Sequence, residues 1–259
     1  MTERIISRKD GATGWLIFNN PERRNAVSLD MWEAIPNVLD EFAADDAIRV
    51  VVLAGAGDKA FVSGADISQF EKQRSTAETV AHYDEVGEKA QSRLKHFDKP
   101  VIAMIRGYCL GGGLNIANLC DLRIAADDAR FGIPAAKMGL GYRAASMKQL
   151  VDIVGPAFAR EIMITARQFT ASEAKDMGLV HKVVPVPELE KLTREYCEMI
   201  AANAPLTMRA AKRIIREVTA NEYDAAACRA WVKECFESED YREGRRAFME
   251  KRRPVFKGR

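Results

Sequence analysis

The chain has 259 residues, of which 47% are hydrophobic and 29% are charged, and its formal net charge is +2. Charges this balanced exclude nucleic acid or an anionic membrane surface as the main partner. No run approaches the ~20 apolar residues of a membrane span, and the first residues are too charged for a signal peptide, so we expect a soluble cytoplasmic protein. Five cysteines without a C-x-x-C pair and three scattered histidines predict reduced thiols and no metal site.

The first elements predict a hairpin followed by a helix. Residues 5–8 and 15–18 are apolar runs on either side of an Asp10-Gly11 turn. Ser28 is the predicted N-cap of the helix, whose apolar residues recur at helical spacing as far as Phe42. Pro36 lies inside that pattern, so we expect it to kink or divide the helix.

The middle of the chain predicts an α/β core with mainly parallel strands. Buried strands are predicted at 50–54, 100–105 and 122–125, and helices at 80–97 and from 111 onward lie between them. The polar stretch 69–79 predicts a mobile loop. From residue 188 the pattern is almost wholly helical, with segments at 189–202, 206–218, 225–236 and 241–251. We therefore expect a core over 1–187 and a helical region over 188–259.

Two short segments end a strand-like run in a turn of small residues and continue into helix-like sequence: 61–67, FVSGADI, and 108–114, YCLGGGL. Glycines at a helix start leave backbone N–H groups unpaired, with the positive end of the helix dipole behind them. No Lys-[Ser/Thr] follows and no G-x-G-x-x-G occurs, so neither nucleotide fingerprint is met. We interpret the pair as two halves of an oxyanion hole, with Asp66 capping the helix that follows.

Motifs along the whole chain are similar to those of the enoyl-CoA hydratase/isomerase, or crotonase, superfamily. They are NNPERRNAV at 19–27, KAFVSGADI at 59–67, KPVIAMIRGYCLGGG at 99–113, TASEAKDMGLV at 170–180 and EGRRAFMEKR at 243–252. The resemblance implies a crotonase-like spiral of ββα units with a C-terminal helical trimerisation region, assembled as a homotrimer or homohexamer. It also implies an acyl-CoA thioester as substrate and no cofactor apart from the CoA of the substrate.

The same resemblance implies roles for particular residues. The backbone N–H groups of Ala65 and Gly112 would donate to the thioester oxygen. Hydratases of the family use two carboxylates for proton transfer, and Asn115 and Ala135 stand at those positions. An amide is no base at neutral pH and a methyl group transfers no proton. The residues expected along the substrate and its CoA are Arg24, Ala65, Asp66, Ile67, Ser68, Gly112, Asn115 and Ala135.

Decarboxylation of a malonyl-type thioester generates an enolate without a base, so it is the reaction that the remaining residues favour. The segment 137–143, KMGLGYR, resembles the methylmalonyl-CoA decarboxylase branch, in which a tyrosine at the position of Tyr142 hydrogen-bonds the substrate carboxylate. Tyr142 is therefore the third predicted catalytic residue, although it could instead pack as an ordinary loop aromatic. The chain departs from that branch at Ala65, where the branch has histidine, and at Asn115, where it has glutamate.

Other interpretations remain open from the sequence. One is hydration or isomerisation in which Tyr142 or a carboxylate from residues 83–88 replaces the missing acid and base. Another is a non-catalytic acyl-CoA-binding protein. Arg143 could hold a carboxylate or face water, and His96 lies close enough in sequence to the 83–88 helix to be considered near the acyl pocket.

Overall fold

The computed structural model describes residues 2–66, 77–220 and 222–259. Its helices are α1 Leu29–Ala44, α2 Ala77–Lys95, α3 Gly112–Leu119, α4 Ala144–Thr165, α5 Ala171–Asp176, α6 Leu189–Ala201, α7 Pro205–Val218, α8 Ala225–Glu237 and α9 Glu239–Met249. Its strands are β1 Ile5–Asp10, β2 Thr13–Phe18, β3 Val50–Gly55, β4 Ala60–Val62, β5 Val101–Ile105, β6 Tyr108–Leu110, β7 Leu122–Ala126, β8 Arg130–Gly132, β9 Phe169–Thr170 and β10 Lys182–Val184.

Two sheets form the core, and the chain alternates between them. The larger sheet has the order β1-β2-β3-β5-β7-β10 and the smaller one β4-β6-β8-β9. Each of β3, β5 and β7 is followed directly by a short strand of the smaller sheet, and a helix comes before the next strand of the larger sheet. All pairs are parallel except the β1-β2 hairpin and β8-β9. This repeat produces the predicted α/β spiral.

The main hydrophobic core lies between the sheets and the helices, and its largest fully buried side chains include Phe18, Phe61 and Phe131. Helix α6 covers the other face of the larger sheet, where its Leu189 and Cys197 pack against strand residues. Helices α7 to α9 contribute little to these cores, and several of their large apolar side chains are exposed. Within the described ranges, none of the helices has the length and apolar character needed to span a bilayer.

Several local predictions are confirmed and several need correction. The hairpin forms with Asp10 opposite Thr13, and Ser28 is the N-cap residue of α1, but its side chain makes no cap hydrogen bond because its hydroxyl donates to Asp30. Pro36 does not divide α1, which continues to Ala44. Of the predicted mobile loop, residues 77–79 belong to α2, and residues 69–76 lie outside the described ranges.

Candidate active site

Three loops meet at one edge of the smaller sheet. Strands β4, β6 and β8 run parallel, with Ala60 opposite Tyr108 and Leu110 opposite Gly132. The carboxyl ends of parallel strands lie at the same edge of a sheet, so the segments after β4, β6 and β8 emerge side by side. These segments are 63–66, 111–112 and 133–135, and together they form one wall of a cavity of about 960 Å³.

The N–H group of Ala65 faces this cavity because of how its neighbours pair. Ala65 forms a parallel bridge with Val27: Val27 N donates to Gly64 O at 2.8 Å, and Asp66 N donates to Val27 O at 3.0 Å. Backbone groups of successive residues in extended chain point to opposite sides, so the N–H of Ala65 points away from Val27. Ala65 lines the cavity on that side.

The second backbone donor comes from the first residue of α3. Gly111 is the N-cap and has φ of 52°, a conformation that glycine adopts without strain. The first helical hydrogen bond runs from Asn115 N to Gly111 O at 3.1 Å, so the N–H of Gly112 has no partner within the helix. A Cβ on Gly112 would lie 3.8 Å from Ala65 N. The two donors therefore belong to segments separated by about the width of one methyl group.

Close packing of α3 on β4 fixes this arrangement. A Cβ placed on Gly113 would lie 2.0 Å from the carbonyl oxygen of Val62, so only glycine fits there. The start of α3 thus sits directly on the strand that leads to Ala65. The positive end of the helix dipole adds to the two N–H groups, and the wall is suited to a developing oxyanion.

The opposite wall of the cavity is built from side chains. Trp32 Nε1 donates to Tyr83 Oη at 3.1 Å, and both side chains are buried. Met138 and Leu140, which follow β8, are half exposed at the edge of the cavity. This wall is apolar and aromatic, as acyl chains require.

Both positions of the missing carboxylates lie in the cavity. Ala135 is in the 3₁₀ turn Pro134–Met138 and is 5% exposed. Asn115 is in the first turn of α3, and its Oδ1 accepts a hydrogen bond from Tyr142 Oη at 2.5 Å, while its Nδ2 donates to Ser146 Oγ at a long 3.4 Å. Tyr142 and Asn115 therefore act as one polar pair beside the backbone donors.

Burial raises the pKa of Tyr142 well above its ordinary value of 10. The phenol therefore stays protonated at neutral pH and cannot serve as a base there. It can donate or accept a hydrogen bond as a neutral group.

Arg143, the residue after Tyr142, forms ion pairs with two carboxylates of α2. Arg143 Nη2 lies 2.7 Å from Asp84 Oδ1, and Arg143 Nη1 lies 2.6 Å from Glu88 Oε1. Arg143 and Asp84 line the cavity, whereas Glu85, Glu88 and His96 do not. The arginine thus faces two carboxylates of α2 and not simply water.

The remaining predicted residues lie toward the entrance. The Arg24 guanidinium stacks over the Tyr108 ring at 5.1 Å, and Arg24 lines the cavity. Asp66 is 6% exposed, and its Oδ1 lies 3.8 Å from Arg23 Nη1. Ile67 and Ser68, and the helix start that Asp66 was predicted to cap, lie outside the described ranges. Within those ranges, no cluster of three or more metal-binding side chains occurs.

Comparison with known proteins agrees with this geometry. A sequence profile of the enoyl-CoA hydratase/isomerase family matches residues 10–259. The chain belongs to this family. Crotonase-superfamily members are enzymes that act on acyl-CoA thioesters, and the α/β fold described above matches their solved structures.

Relatives of this crotonase-superfamily chain include named hydratases. It is 36% identical to the short-chain-enoyl-CoA hydratase of Clostridium acetobutylicum, over 96% of this chain and 95% of the relative. It is 33% identical to the 2,3-dehydroadipyl-CoA hydratase of Escherichia coli, over the full length of both. A Magnetospirillum magneticum structure described as an enoyl-CoA hydratase/carnithine racemase superposes with a TM-score of 0.96 at 36% identity, covering 100% of this chain and 97% of that one.

Sequence reasoning did not place two residues of the cavity, Trp32 and Ser146. Trp32 fitted the apolar period of α1 and was therefore interpreted as core, although its indole reaches Tyr83. Ser146 gave no signal, since a serine in the first turn of a helix usually faces solvent. Of the carboxylates in the predicted range 83–88, Asp84 is the one that lines the cavity.

Proposed function

We propose that this crotonase-superfamily enzyme decarboxylates a malonyl-type CoA thioester. The observation that carries the proposal is the pairing of Tyr142 with Asn115 in the cavity, where the carboxylates needed for hydration would stand. The reaction then depends on stabilising an enolate, which the backbone wall is suited to do. No base is required, because loss of CO₂ itself supplies the electron pair.

The proposed steps balance without another reactant. The bond between the α-carbon and the carboxylate breaks, CO₂ leaves, and the electron pair forms the enolate, whose oxygen accepts from the N–H groups of Ala65 and Gly112. Each such donor contributes about 3 kcal/mol in comparable sites. A proton from solvent then adds to the α-carbon and gives the shortened acyl-CoA.

The Tyr142 hydroxyl is the group that we assign to the substrate carboxylate. Its proton points to Asn115 Oδ1 in the free protein. If the amide of Asn115 turns over, its Nδ2 donates to the phenol oxygen, and the phenol proton becomes available to the carboxylate. The raised pKa of Tyr142 supports this role because the phenol remains a donor at neutral pH.

The test is a panel of malonyl-CoA, methylmalonyl-CoA and ethylmalonyl-CoA incubated with purified protein, with CO₂ and the product thioester measured together. We expect turnover of at least one thioester and a loss of about 10-fold or more in kcat for Tyr142→Phe, since a hydrogen bond to a charged group contributes about 1.5–3 kcal/mol. Absence of CO₂ release above the no-enzyme background would refute the proposal.

Hydration of a 2-enoyl-CoA is the second candidate, and the names of the relatives favour it. It requires another group to deprotonate water, and the candidate is Asp84, which lines the cavity and would first have to be released by Arg143. Loss of crotonyl-CoA absorbance that Asp84→Asn abolishes would establish this alternative. If acyl-CoA binds in calorimetry while both panels show no turnover, the chain is a binding protein.

We further propose that copies of this chain assemble as a trimer or a pair of trimers through residues 188–259. This region exposes large apolar side chains, among them Phe236, Phe248 and Met249, around a groove of about 810 Å³. Sedimentation analysis is expected to give a multiple of three protomers, and Phe248→Ser is expected to shift the population toward smaller species. A wild-type monomer at micromolar concentration would contradict the assembly.

A further inference from the structure

Behind the Tyr142–Asn115 pair, polar side chains line the contact between α3 and α4. Both helices begin at the cavity, α3 at Gly112 and α4 just after Arg143, and they pack against each other. Asn115 joins Ser146 across this contact. We use the name α3–α4 seam for four polar residues. Asn115 and Ser146 make the contact, and Asn118 and Gln149 are the next polar residues along the two helices.

Asn118 and Gln149 are the next residues along the seam. Each follows its predecessor by three positions, so it lies on the same helix face one turn farther from the cavity. Asn118 is 7% exposed. Within the described ranges neither its Nδ2 nor its Oδ1 has a hydrogen-bonding partner, and the same holds for the buried Oε1 of Gln149.

Three such atoms are costly to bury together. Each unsatisfied buried polar atom costs about 1–3 kcal/mol, and native proteins hold few of them. Here the two acceptors are Asn118 Oδ1 and Gln149 Oε1, and the donor group is Asn118 Nδ2. One water molecule matches that set, because its two protons suit the two oxygens and a lone pair suits the amide N–H.

We infer that the α3–α4 seam binds a buried water molecule through Asn118 and Gln149, and that this water holds the Ser146–Asn115–Tyr142 chain in place. Ser146 Oγ accepts from Asn115 Nδ2, so its own proton is free for another acceptor, and in this arrangement the second lone pair of the water accepts it. Asn118 and Gln149 are then positioning residues. Their effect on Tyr142 rests on the proposed function, but the water site itself does not.

A double-mutant cycle on thermal stability tests the water site without any activity measurement. The variants are Asn118→Leu, Gln149→Met and the two combined, which keep side-chain volume close to the original. If the water is shared, each single substitution leaves the other amide unsatisfied, and each is expected to lower Tm by several degrees. The double variant is then expected to lose clearly less than the sum of the two.

The opposite pattern would overturn the inference. If the three atoms are simply dry, each single substitution removes a buried polar group and raises Tm, and the two effects add. A crystal structure of the wild-type protein provides the second measurement. Density for a water within hydrogen-bonding distance of both Asn118 and Gln149 supports the site, and a seam filled by direct contact between the two amides refutes it.

The positioning role has its own readout. For whichever acyl-CoA the wild-type protein turns over, Asn118→Leu is expected to lower kcat several-fold while KM stays within about twofold, because Asn118 does not line the cavity. Equal kcat in wild-type and variant proteins would remove the link to Tyr142. If no thioester is turned over, the stability cycle still decides the water site, so the two proposals fail separately.

Discussion

The two walls of the cavity are built by different means. The wall at Ala65 and Gly112 presents backbone N–H groups, held by strand pairing and by the packing of α3 on β4. Beside these donors the cavity is lined by side chains, which we call the side-chain wall; its polar part is Asn115 and Tyr142, joined by a single short hydrogen bond. Backbone donors persist as long as the fold persists, whereas side chains change with one substitution.

This difference explains how one fold supports several reactions. A wall of two backbone N–H donors is suited to any thioester enolate, whatever bond forms or breaks at the α-carbon. The side-chain wall decides whether water is activated, a carboxylate is held or nothing is transferred. In this chain the first wall is complete, and the second holds an amide, a methyl group and a phenol of raised pKa.

Gly112→Ala is expected to have the largest effect on activity. The new methyl would meet no atom closer than 3.8 Å, so the fold tolerates it, but it would stand beside Ala65 N where the thioester oxygen must bind. We expect kcat to fall by about 100-fold or more, similar to the loss of an oxyanion-hole donor. Steady-state kinetics and a thermal melt together measure this, and the melt should be nearly unchanged.

Gly113→Ala is the matched control for that substitution. Its methyl would lie 2.0 Å from Val62 O, which is backbone and cannot move aside. We therefore expect little folded protein, or a midpoint lowered by ten degrees or more, since overpacking costs about 1–3 kcal/mol or more. If Gly113→Ala melts like the wild type while Gly112→Ala unfolds, the two glycines have been assigned the wrong roles.

A second test of the comparison between the backbone wall and the side-chain wall is to place glutamates at positions 115 and 135. Asn115→Glu combined with Ala135→Glu places an acid and a base in the cavity next to an unchanged backbone wall. We expect hydration of crotonyl-CoA to rise by about 100-fold or more over the parent, the usual contribution of general acid–base catalysis. Each single variant is expected to gain far less. A double variant that folds and binds acyl-CoA but hydrates no faster would show that the second wall differs in more than two side chains.

The backbone wall was predictable from the sequence, and the side-chain wall was predictable only in part. Small residues at a strand end and glycines at a helix start report local conformation, so the turns at Ala65 and Gly112 were visible. Parallel pairing of β4 with β6 then brings them together. The hydrogen bond between Asn115 and Tyr142 joins residues 27 positions apart, one on α3 and one in the segment before α4, and no local pattern encodes this approach.

Contacts between distant parts of the chain also explain the other differences between the sequence-based expectations and the structure. Pro36 was expected to kink or divide α1, and it does not divide the helix, because burial of the apolar face outweighs one lost hydrogen bond. Arg143 gave no local sign of its partners, since Asp84 and Glu88 lie on α2, more than fifty residues earlier. Long-range pairing of charges depends on how helices pack, whereas local sequence patterns predict only where the helices are.

Tyr142→Phe is expected to have an intermediate effect. It can be measured as the change in the free energy of unfolding at alkaline pH. The native pKa of Tyr142 is raised above its ordinary value of 10, so above pH 10 the unfolded chain loses this proton first. The free energy of unfolding then falls by up to about 1.4 kcal/mol per pH unit from this one group. Denaturant unfolding between pH 9 and 11 should show a shallower decline for Tyr142→Phe. Identical slopes would mean that Tyr142 is more exposed to solvent than the cavity wall implies.

Glu88→Gln is expected to have the smallest effect, and it tests whether the acid–base function has moved to α2. The Glu88 side chain is 67% exposed, and Asp84 still pairs with Arg143 when Glu88 is neutral. Exposed ion pairs contribute about 0.2–1 kcal/mol, so Tm should fall by no more than a few degrees. We expect kcat/KM to stay within about twofold, because the residue lies outside the cavity. A tenfold loss with a changed pH profile would instead place a catalytic carboxylate on α2, and the side-chain wall would then extend beyond Asn115 and Tyr142.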